Sequence, residues 1–288
     1  MHKTIVSELE ALPENSWLTK EYVDLSKYSE ILILDGKYIK VRGYERKIPM
    51  LWGIDYLSHD IPAKLLAPSE NEEAFDRYFG LLEATGYIPK IVVVDDRAGI
   101  ATALFRHFPH AKVQLCHVHF LENLRGAMKI RTEDTHLLFF LSVREMLKTR
   151  EGYLLKQKVA GLLLQYGEIN LWYKQIVLGI WGRRRELFAY LSVQGCPNNT
   201  NLIELYNSHL NGRLKTVKGF KSFHSADRWL NAYVVRRRTK ELTDCEKRFK
   251  HLNGRCSLEI AGKDVEAVQK LKEKLGEKRK KNAPKNER

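Results

Sequence analysis

Apolar runs alternate with polar, turn-prone segments through the first 120 residues of the chain. Residues 31–41 (ILILDGKYIKV) predict a strand whose first half is apolar at every position and which is interrupted by Asp35. Strand-like runs at 48–56 and 61–67 follow closely, and such short connections favour an antiparallel meander because parallel neighbours need a long crossover. The β-branched run 91–94 predicts a fourth strand, buried on both faces.

Segments with helical periodicity connect the later strands along the sequence. Ser69, with Glu72 three residues later, predicts a capping box, and apolar residues recur at helical spacing from 75 to 82. Residues 90–115 then predict strand, helix and strand. The expected order of elements is therefore β-β-β-α-β-α-β, which is typical of an α/β fold built on one mixed sheet.

The second half of the chain is helical in pattern. Residues 120–193 predict an all-helical insertion that ends at the break GCPNN, 195–199. Two helices follow, at 201–215 and 218–240. These patterns divide the chain into five regions: an N-terminal arm (1–30), the first part of an α/β core (31–119), the insertion (120–196), two helices that complete the core (197–245) and a basic C-terminal region (246–288). The arm is predicted to contain a short helix at 5–12. The C-terminal region is predicted to be disordered from about residue 270.

Composition narrows the class of partner. Hydrophobic residues make up 44% of the chain, which is enough for a substantial core. The 49 Lys and Arg residues exceed the 35 Asp and Glu residues, and the resulting net charge of +14 indicates a polyanionic partner such as nucleic acid. We find neither a membrane-spanning run nor a secretory signal in the sequence, so a cytoplasmic protein is expected. The four cysteines form no CxxC pair, so the sequence indicates neither a disulfide framework nor a four-ligand zinc site.

Three carboxylates stand where chemistry is expected. If the first and fourth strands lie side by side, Asp35 and Asp95 become neighbours at the strand ends, and two close carboxylates must share a proton or bind a cation such as Mg²⁺ or Mn²⁺. Glu204, on a helix that could cover the site, would supply a third carboxylate. These acids also have structural alternatives. Asp35 could be a turn residue before Gly36. One of Asp95 and Asp96 is expected to cap the following helix, with Asp96 as the expected cap, and Glu204 could simply stabilise a helix start capped by Asn201.

These acids lie in sequences that resemble a known family. The segments are LDGKYIKV around Asp35, VVVDDRAGI at Asp95, CHVH with Cys116 and His119, and NNTNLIELYNSHLNGRLK around Glu204 followed by KGF. In order and spacing they resemble the DDE transposases of the Mutator type, which include bacterial insertion sequences and plant Mutator-like elements. The resemblance implies a ribonuclease H-like mixed sheet flanked by helices, with a helical insertion before the last catalytic helix.

The resemblance also implies a reaction and its partners. Asp35, Asp95 and Glu204 would hold two metal ions, Mg²⁺ or Mn²⁺, for phosphodiester hydrolysis and strand transfer on double-stranded DNA at transposon ends and at the target. A homodimer on paired ends is expected, as is nucleoid association in a bacterium. Cys116 and His119 supply only half of a tetrahedral zinc site, so a structural role or a DNA contact is expected of them instead. The residues expected to contact DNA are Arg213, Lys215, Lys218, Lys221, Arg236, Arg237 and Arg238.

Two alternatives remain open at this point. Relatives carry an N-terminal DNA-binding region that thirty residues are too few to form, so the sequence suggests a catalytic core without its targeting module. The first alternative is therefore a DNA-binding protein that has lost catalysis. The second is a nuclease of the same fold that acts on RNA–DNA hybrids.

Overall fold

A five-stranded mixed sheet lies at the centre of the protein. The computed structural model describes residues 9–281. The strands are β1 (Ile31–Ile39), β2 (Ile48–Asp55), β3 (Lys64–Leu66), β4 (Ile91–Val94) and β5 (Lys112–Leu115). Their order in the sheet is β3-β2-β1-β4-β5. Strand β2 is antiparallel to both of its neighbours, β1 and β3, whereas β4 is parallel to both β1 and β5. The antiparallel meander and the central pairing of the first and fourth strands are thus confirmed.

Helices cover the sheet and extend beyond it. They are α1 (Asn15–Tyr22), α2 (Glu72–Ala84), α3 (Ile100–His107), α4 (His117–Ala127), α5 (Leu137–Leu147), α6 (Gly152–Tyr166), α7 (Leu171–Gly182), α8 (Arg184–Leu187), α9 (Asn201–Val217), α10 (Phe223–Thr239), α11 (Ser257–Ile260) and α12 (Val265–Lys281). Short 3₁₀ turns lie at Leu25–Lys27, Ala189–Ser192 and Lys247–Leu252. The fold is therefore mixed α/β with helices flanking the sheet, as the pattern predicts. None of the helices within residues 9–281 is long and apolar enough to cross a membrane.

The two faces of the sheet contact different helices because strand side chains alternate between faces. Leu32 and Leu34 of β1 join the core that contains the aromatic side chains of α2. Ile31 and Ile33 join a second core, formed with α9 and α10. Residues of β4 alternate in the same way, with Val92 on the α2 side. Any residue that continues the odd-numbered series of either strand therefore faces α9.

The predicted helical insertion forms helices α5 to α8, which follow α4. Its aromatic residues pack within it, as in the stacked rings of Phe139 and Tyr173, whose centroids are 4.0 Å apart. Helix α7 ends at Gly182. Arg183 separates it from the four-residue helix α8, and a 3₁₀ turn follows.

Two local predictions differ from the structure. Helix α2 is capped by Asn71, whose Oδ1 accepts from the Ala74 amide at 3.0 Å, and not by Ser69. The C-terminal region is helical to Lys281 where disorder was predicted from about residue 270, because Leu271 is buried against the main core. Residues 282–288 lie outside the described residues, as do residues 5–8 of the predicted N-terminal helix; residues 9 and 10 are helical.

Candidate active site

The parallel pair β1 and β4 brings two aspartates to one place. Ile33 is level with Val93 in the register of the two strands. Asp35 lies two residues after Ile33 and Asp95 two residues after Val93, so both carboxylates continue the series that faces α9. The chain thus sets two acids side by side beneath one helix.

The Asp35 carboxylate accepts two hydrogen bonds, but its surroundings destabilise its charged form. Its Oδ1 accepts from the Gly36 amide at 2.7 Å, and its Oδ2 accepts from Asn207 Nδ2 at 2.6 Å. Asn207 is fixed in turn because its Oδ1 accepts from the indole nitrogen of Trp52 at 3.1 Å. Burial and the nearby charge of Asp95 raise the pKa of Asp35 to about 6. The site therefore favours a positive charge close to this carboxylate.

His119 lies between Asp95 and Glu204. Its Nδ1 is 2.5 Å from Asp95 Oδ1, and its Nε2 is 3.7 Å from Glu204 Oε1. The contact with Asp95 lies off the N–H direction, so Asp95 Oδ1, although buried, has no well-directed hydrogen-bond donor among the described residues. The short contact with the Asp95 carboxylate, and then that with Cys116, raises the pKa of His119 to about 10. The imidazole is thus the cation that offsets part of the acidic charge.

Cys116 lies beside His119 at the start of α4. Its thiol is buried, and its sulfur lies 3.3 Å from Thr200 Oγ1. Burial alone would raise the pKa of the Cys116 thiol, but hydrogen bonds from His119 and Thr200 lower it overall. The CHVH sequence therefore places a thiol and an imidazole directly against the acidic site.

Glu204 belongs to this site and does not cap its helix. Thr200 is the N-cap of α9, and Asn201, predicted to be the cap, is the first helical residue. Glu204 therefore lies one position too far along the helix for the capping box that was its structural alternative. Its Oε1 accepts from Thr200 Oγ1 at 3.1 Å and faces His119. The three predicted carboxylates thus converge on one region, linked by Asn207 on one side and His119 on the other.

Asp96 has a different role from the one predicted. Helix α3 is capped by Gly99 with φ +85°, and a Cβ at that position would lie 2.9 Å from the Glu72 Cα, so a glycine is required. Asp96 instead forms a bidentate ion pair with Arg183, with nitrogen–oxygen distances of 2.6 and 2.8 Å. That pair lowers the pKa of Asp96 and ties the helical insertion to the end of β4.

The residues predicted to contact DNA differ in their exposure to solvent. Arg213, Lys215, Lys218, Lys221 and Arg236 are exposed. Arg237 is largely buried, with its guanidinium 4.4 Å from the centroid of the Tyr206 ring. Arg238 is fully buried in an ion pair with Asp60, so the prediction that it contacts DNA is wrong. Consecutive residues of a helix point in different directions, so three consecutive arginines cannot all lie on the same face, and here Arg238 points inward.

Three further side chains at the site were not predicted from the sequence to have a role there. Asn207 follows Glu204 by three residues and so shares its helix face, a spacing that could have indicated it. Thr200 contacts Cys116 and Glu204 from the loop before α9, and nothing in its local sequence indicates this. Glu70 hydrogen-bonds to the Tyr38 hydroxyl, and its charge contributes to the raised pKa of Asp35.

The carboxylates form a donor set suited to a hard divalent cation. Asp35, Asp95 and Glu204 offer oxygen atoms, the ligands that Mg²⁺ and Mn²⁺ favour. The buried Asp95 oxygen, which has no well-directed donor within residues 9–281, and the raised pKa of Asp35 both indicate negative charge that the protein does not fully compensate. The chemistry of these residues suits a divalent ion, but the ligand atoms of the three carboxylates do not all lie within 4.8 Å of one another.

A mixed α/β fold with acids on or directly after adjacent parallel strands, and with exposed basic residues on the covering helix, is a combination found in enzymes that act on nucleic acids. A comparison with family models shows which family the chain belongs to. The model described as "Transposase, Mutator family" matches residues 6–244. The chain belongs to this transposase family.

Individual relatives are more distant. The transposase of insertion sequence IS256 in transposon Tn4001 from Staphylococcus aureus is 25% identical over 214 residues, which are 71% of this chain and 54% of that protein. The transposase of ISRM5 from Rhizobium meliloti is 26% identical over 217 residues, 71% of this chain and 52% of that protein. The transposase of IS1201 from Lactobacillus helveticus is 22% identical over 214 residues, 70% and 56% respectively. The chain spans about half the length of the curated relatives it matches.

Proposed function

We propose that this chain is the catalytic core of a DNA transposase that hydrolyses a phosphodiester at transposon ends and transfers the new 3′-hydroxyl to target DNA. The observation that carries the proposal is the convergence of Asp35, Asp95 and Glu204 from β1, the end of β4 and α9. Membership of the Mutator family supports it, as do the relatives' names, which describe transposases of insertion sequences.

The sheet topology supports a ribonuclease H-like fold. Three antiparallel strands are followed by two that are parallel to the first, in the order β3-β2-β1-β4-β5. This order places the first and fourth strands at the centre, and the ends of such strands are where ligands collect in α/β sheets. We therefore assign the catalytic role to the carboxyl-terminal side of these two central strands.

Asp35, Asp95 and Glu204 would hold Mg²⁺ or Mn²⁺. When bound, a pair of such ions supplies an activated water and stabilises the attacking and leaving oxygens of an in-line displacement. The protein's own residues position the ligands: Gly36 and Asn207 fix the two oxygens of Asp35. Thr200 orients Glu204, and His119 offsets the charge of Asp95.

The exposed basic residues would contact the DNA backbone. Arg213 and Lys215 lie on the C-terminal half of α9, the helix that carries Glu204, and Lys218 and Lys221 lie in the turn after it. Lysine and arginine contacts to phosphates position a duplex without reading its sequence. We propose double-stranded DNA as the substrate, with two copies of the protein acting on paired ends.

Replacing Asp35 by Asn tests the assignment. The expected result is a fall of at least about 10³-fold in Mg²⁺-dependent cleavage and strand transfer, which corresponds to about 4 kcal/mol of transition-state stabilisation. DNA binding, measured by fluorescence anisotropy, should be nearly unchanged because Asp35 lies beneath α9 and not on the basic surface. Strand transfer at the parental rate would contradict the assignment.

The neighbouring acids Asp95 and Asp96 provide a matched control. Asp95→Asn should abolish cleavage, whereas Asp96→Asn should leave most of it, since Asp96 pairs with Arg183 outside the acidic site. Equal losses in the two variants would contradict the division of roles. A parental protein that binds DNA but shows no metal-dependent cleavage would favour the non-catalytic DNA-binding alternative.

A further inference from the structure

A thiol, an imidazole and a carboxylate meet where β4, β5 and α4 come together. Val94 is level with Leu115 in the parallel register, so the residues that follow them, Asp95 and Cys116, are adjacent across the two strands. His119 lies one turn into α4. One possible ligand atom from each of Asp95, Cys116 and His119 lies within 4.8 Å of the others. The fold thus completes what the sequence showed as only half of a metal site.

These ligands suit a different cation from the one the carboxylates favour. Sulfur and imidazole nitrogen select borderline and soft ions such as Zn²⁺, whereas Mg²⁺ requires oxygen ligands. Three protein ligands with one open position for water is a common zinc arrangement. We propose that Asp95, Cys116 and His119 form a zinc-binding site, that this site shares Asp95 with the magnesium site, and that bound Zn²⁺ therefore inhibits the magnesium-dependent reaction.

Supporting contacts around the three ligands resemble those that orient metal ligands elsewhere. Thr200 Oγ1 lies 3.3 Å from the Cys116 sulfur, within hydrogen-bond distance of a sulfur atom. His119 Nδ1 lies on the Asp95 side, and its Nε2 faces the Glu204 carboxylate at 3.7 Å. A histidine that binds a metal through one ring nitrogen usually presents the other to a carboxylate or carbonyl, which fixes the ring. Glu204 is placed to serve in this way.

Sharing Asp95 makes the two sites interfere. Zinc would bind the oxygen of Asp95 for which residues 9–281 supply no well-directed donor, and would place a second divalent charge beside the position proposed for magnesium. The inhibitory part of this inference rests on the proposed function, whereas zinc binding itself does not.

Cobalt spectroscopy tests the zinc site without any activity measurement. Co²⁺, added alone to the full chain, should give a thiolate-to-metal charge-transfer absorption that Zn²⁺ abolishes by displacement. Cys116→Ser should lose this absorption, and His119→Ala should weaken it. Cys196→Ser is the matched control, because Cys196 has no metal-ligating partners among the described residues, and it should keep the spectrum. Absence of the absorption, or its persistence in Cys116→Ser, would overturn the zinc site.

A second measurement tests the sharing of Asp95. Micromolar Zn²⁺ should slow magnesium-dependent cleavage by the parental protein, and should slow Cys116→Ser much less relative to that variant's own zinc-free rate. An unchanged parental rate with zinc bound would overturn the inhibition. Asp35→Asn should retain the cobalt spectrum while losing cleavage, because Asp35 is not among the three ligands. If the parental protein shows no cleavage in zinc-free buffer, the proposed function fails while the cobalt spectrum still decides the zinc site.

Discussion

Two groups of aspartates lie on or near the central strands and differ in how their carboxylates are hydrogen-bonded. Asp35 accepts two hydrogen bonds, and Asp95 has a buried oxygen with no well-directed donor in the described part of the chain. Asp55, at the end of β2 and level with Leu32 at the start of β1, accepts five, from the backbone and hydroxyl groups of Ser29 and Ser58 and from the hydroxyl of Tyr87. The first group is incompletely satisfied, and the second is saturated.

Asp60 extends the saturated group. Its two oxygens accept from Arg238 at 2.9 and 2.7 Å, and from Tyr28 and Ser257 at 2.8 Å each. Arg238 also donates to Asn15 of α1. We name these residues the Asp60 cluster. It joins α1, α10 and α11 to the loop after β2, so its acids hold the fold together, whereas Asp35 and Asp95 retain capacity for a ligand.

The number of hydrogen bonds that a carboxylate accepts distinguishes the structural aspartates from the functional ones. Both groups consist of aspartates at or near strand ends, and burial raises the pKa of Asp55 as well as that of Asp35. Around Asp55, hydrogen bonds oppose that rise, whereas around Asp35 the charge of Asp95 adds to it. Local sequence does not distinguish the two cases, because the donors come from distant segments.

The largest expected effect on stability is that of Arg238→Met. Removing the guanidinium leaves the Asp60 carboxylate buried without its cation, which costs roughly 3–5 kcal/mol in the free energy of unfolding. Urea denaturation at neutral pH measures this directly. The matched control is Arg236→Met on the same helix: Arg236 is exposed, so its loss should change stability by about 0.5 kcal/mol or less and should weaken DNA binding. A stable Arg238→Met variant with weakened DNA binding would contradict the structural role of the Asp60 cluster.

Magnesium should stabilise the folded protein through the unsaturated acids. At a concentration 100 times its dissociation constant, a ligand that binds only the folded state adds about 2.7 kcal/mol to the free energy of unfolding. Thermal or urea unfolding with Mg²⁺ and with a chelator measures the difference. Asp35→Asn should lose this stabilisation and Asp96→Asn should keep it. If Asp35→Asn were stabilised as much as the parental protein, the ion would be bound elsewhere.

Asn207→Ala tests how Asp35 is positioned. Loss of the amide removes the donor to Asp35 Oδ2, and changes of this kind around metal ligands typically cost about 10- to 100-fold in metal affinity or activity. The apparent magnesium affinity should fall together with the cleavage rate, which a purely structural role would not produce. Asn211→Ala, one turn further along α9 and exposed, is the control. Parental magnesium affinity in Asn207→Ala would remove this residue from the site.

The sheet and the central pairing of β1 with β4 could be predicted because they depend on local apolar runs and on short connections. Asp95 could be placed because it directly follows the β-branched run of β4, whereas Asp35 lies within β1 and Glu204 within α9, and only the resemblance to the Mutator family singled them out. Hydrogen-bond partners could not be predicted. Asn207 and Asp35 are separated by 172 positions, and Arg238 and Asp60 by 178, so only the folded topology brings them together.

The capping predictions failed for a related reason. Asp96, Ser69 and Asn201 all have the side chain of a helix cap, and each lies within a few residues of a helix start. At Asp96 the tertiary ion pair with Arg183 takes the carboxylate instead. Intrinsic capping preference contributes about 1 kcal/mol, which a bidentate ion pair or a neighbouring cap can offset.

The smallest expected effect comes from removing one donor of the saturated group. Tyr87 is buried, and its hydroxyl donates to Asp55 Oδ2 at 3.2 Å. Tyr87→Phe keeps the ring and its edge contact with Tyr28, and four hydrogen bonds to Asp55 remain. The loss should therefore be about 1 kcal/mol in urea denaturation, with cleavage and magnesium affinity unchanged. A loss of magnesium affinity in this variant would mean that Asp55 and the acids of the candidate active site are coupled through β1. A carboxylate whose hydrogen bonds are saturated would then still affect metal binding at that site.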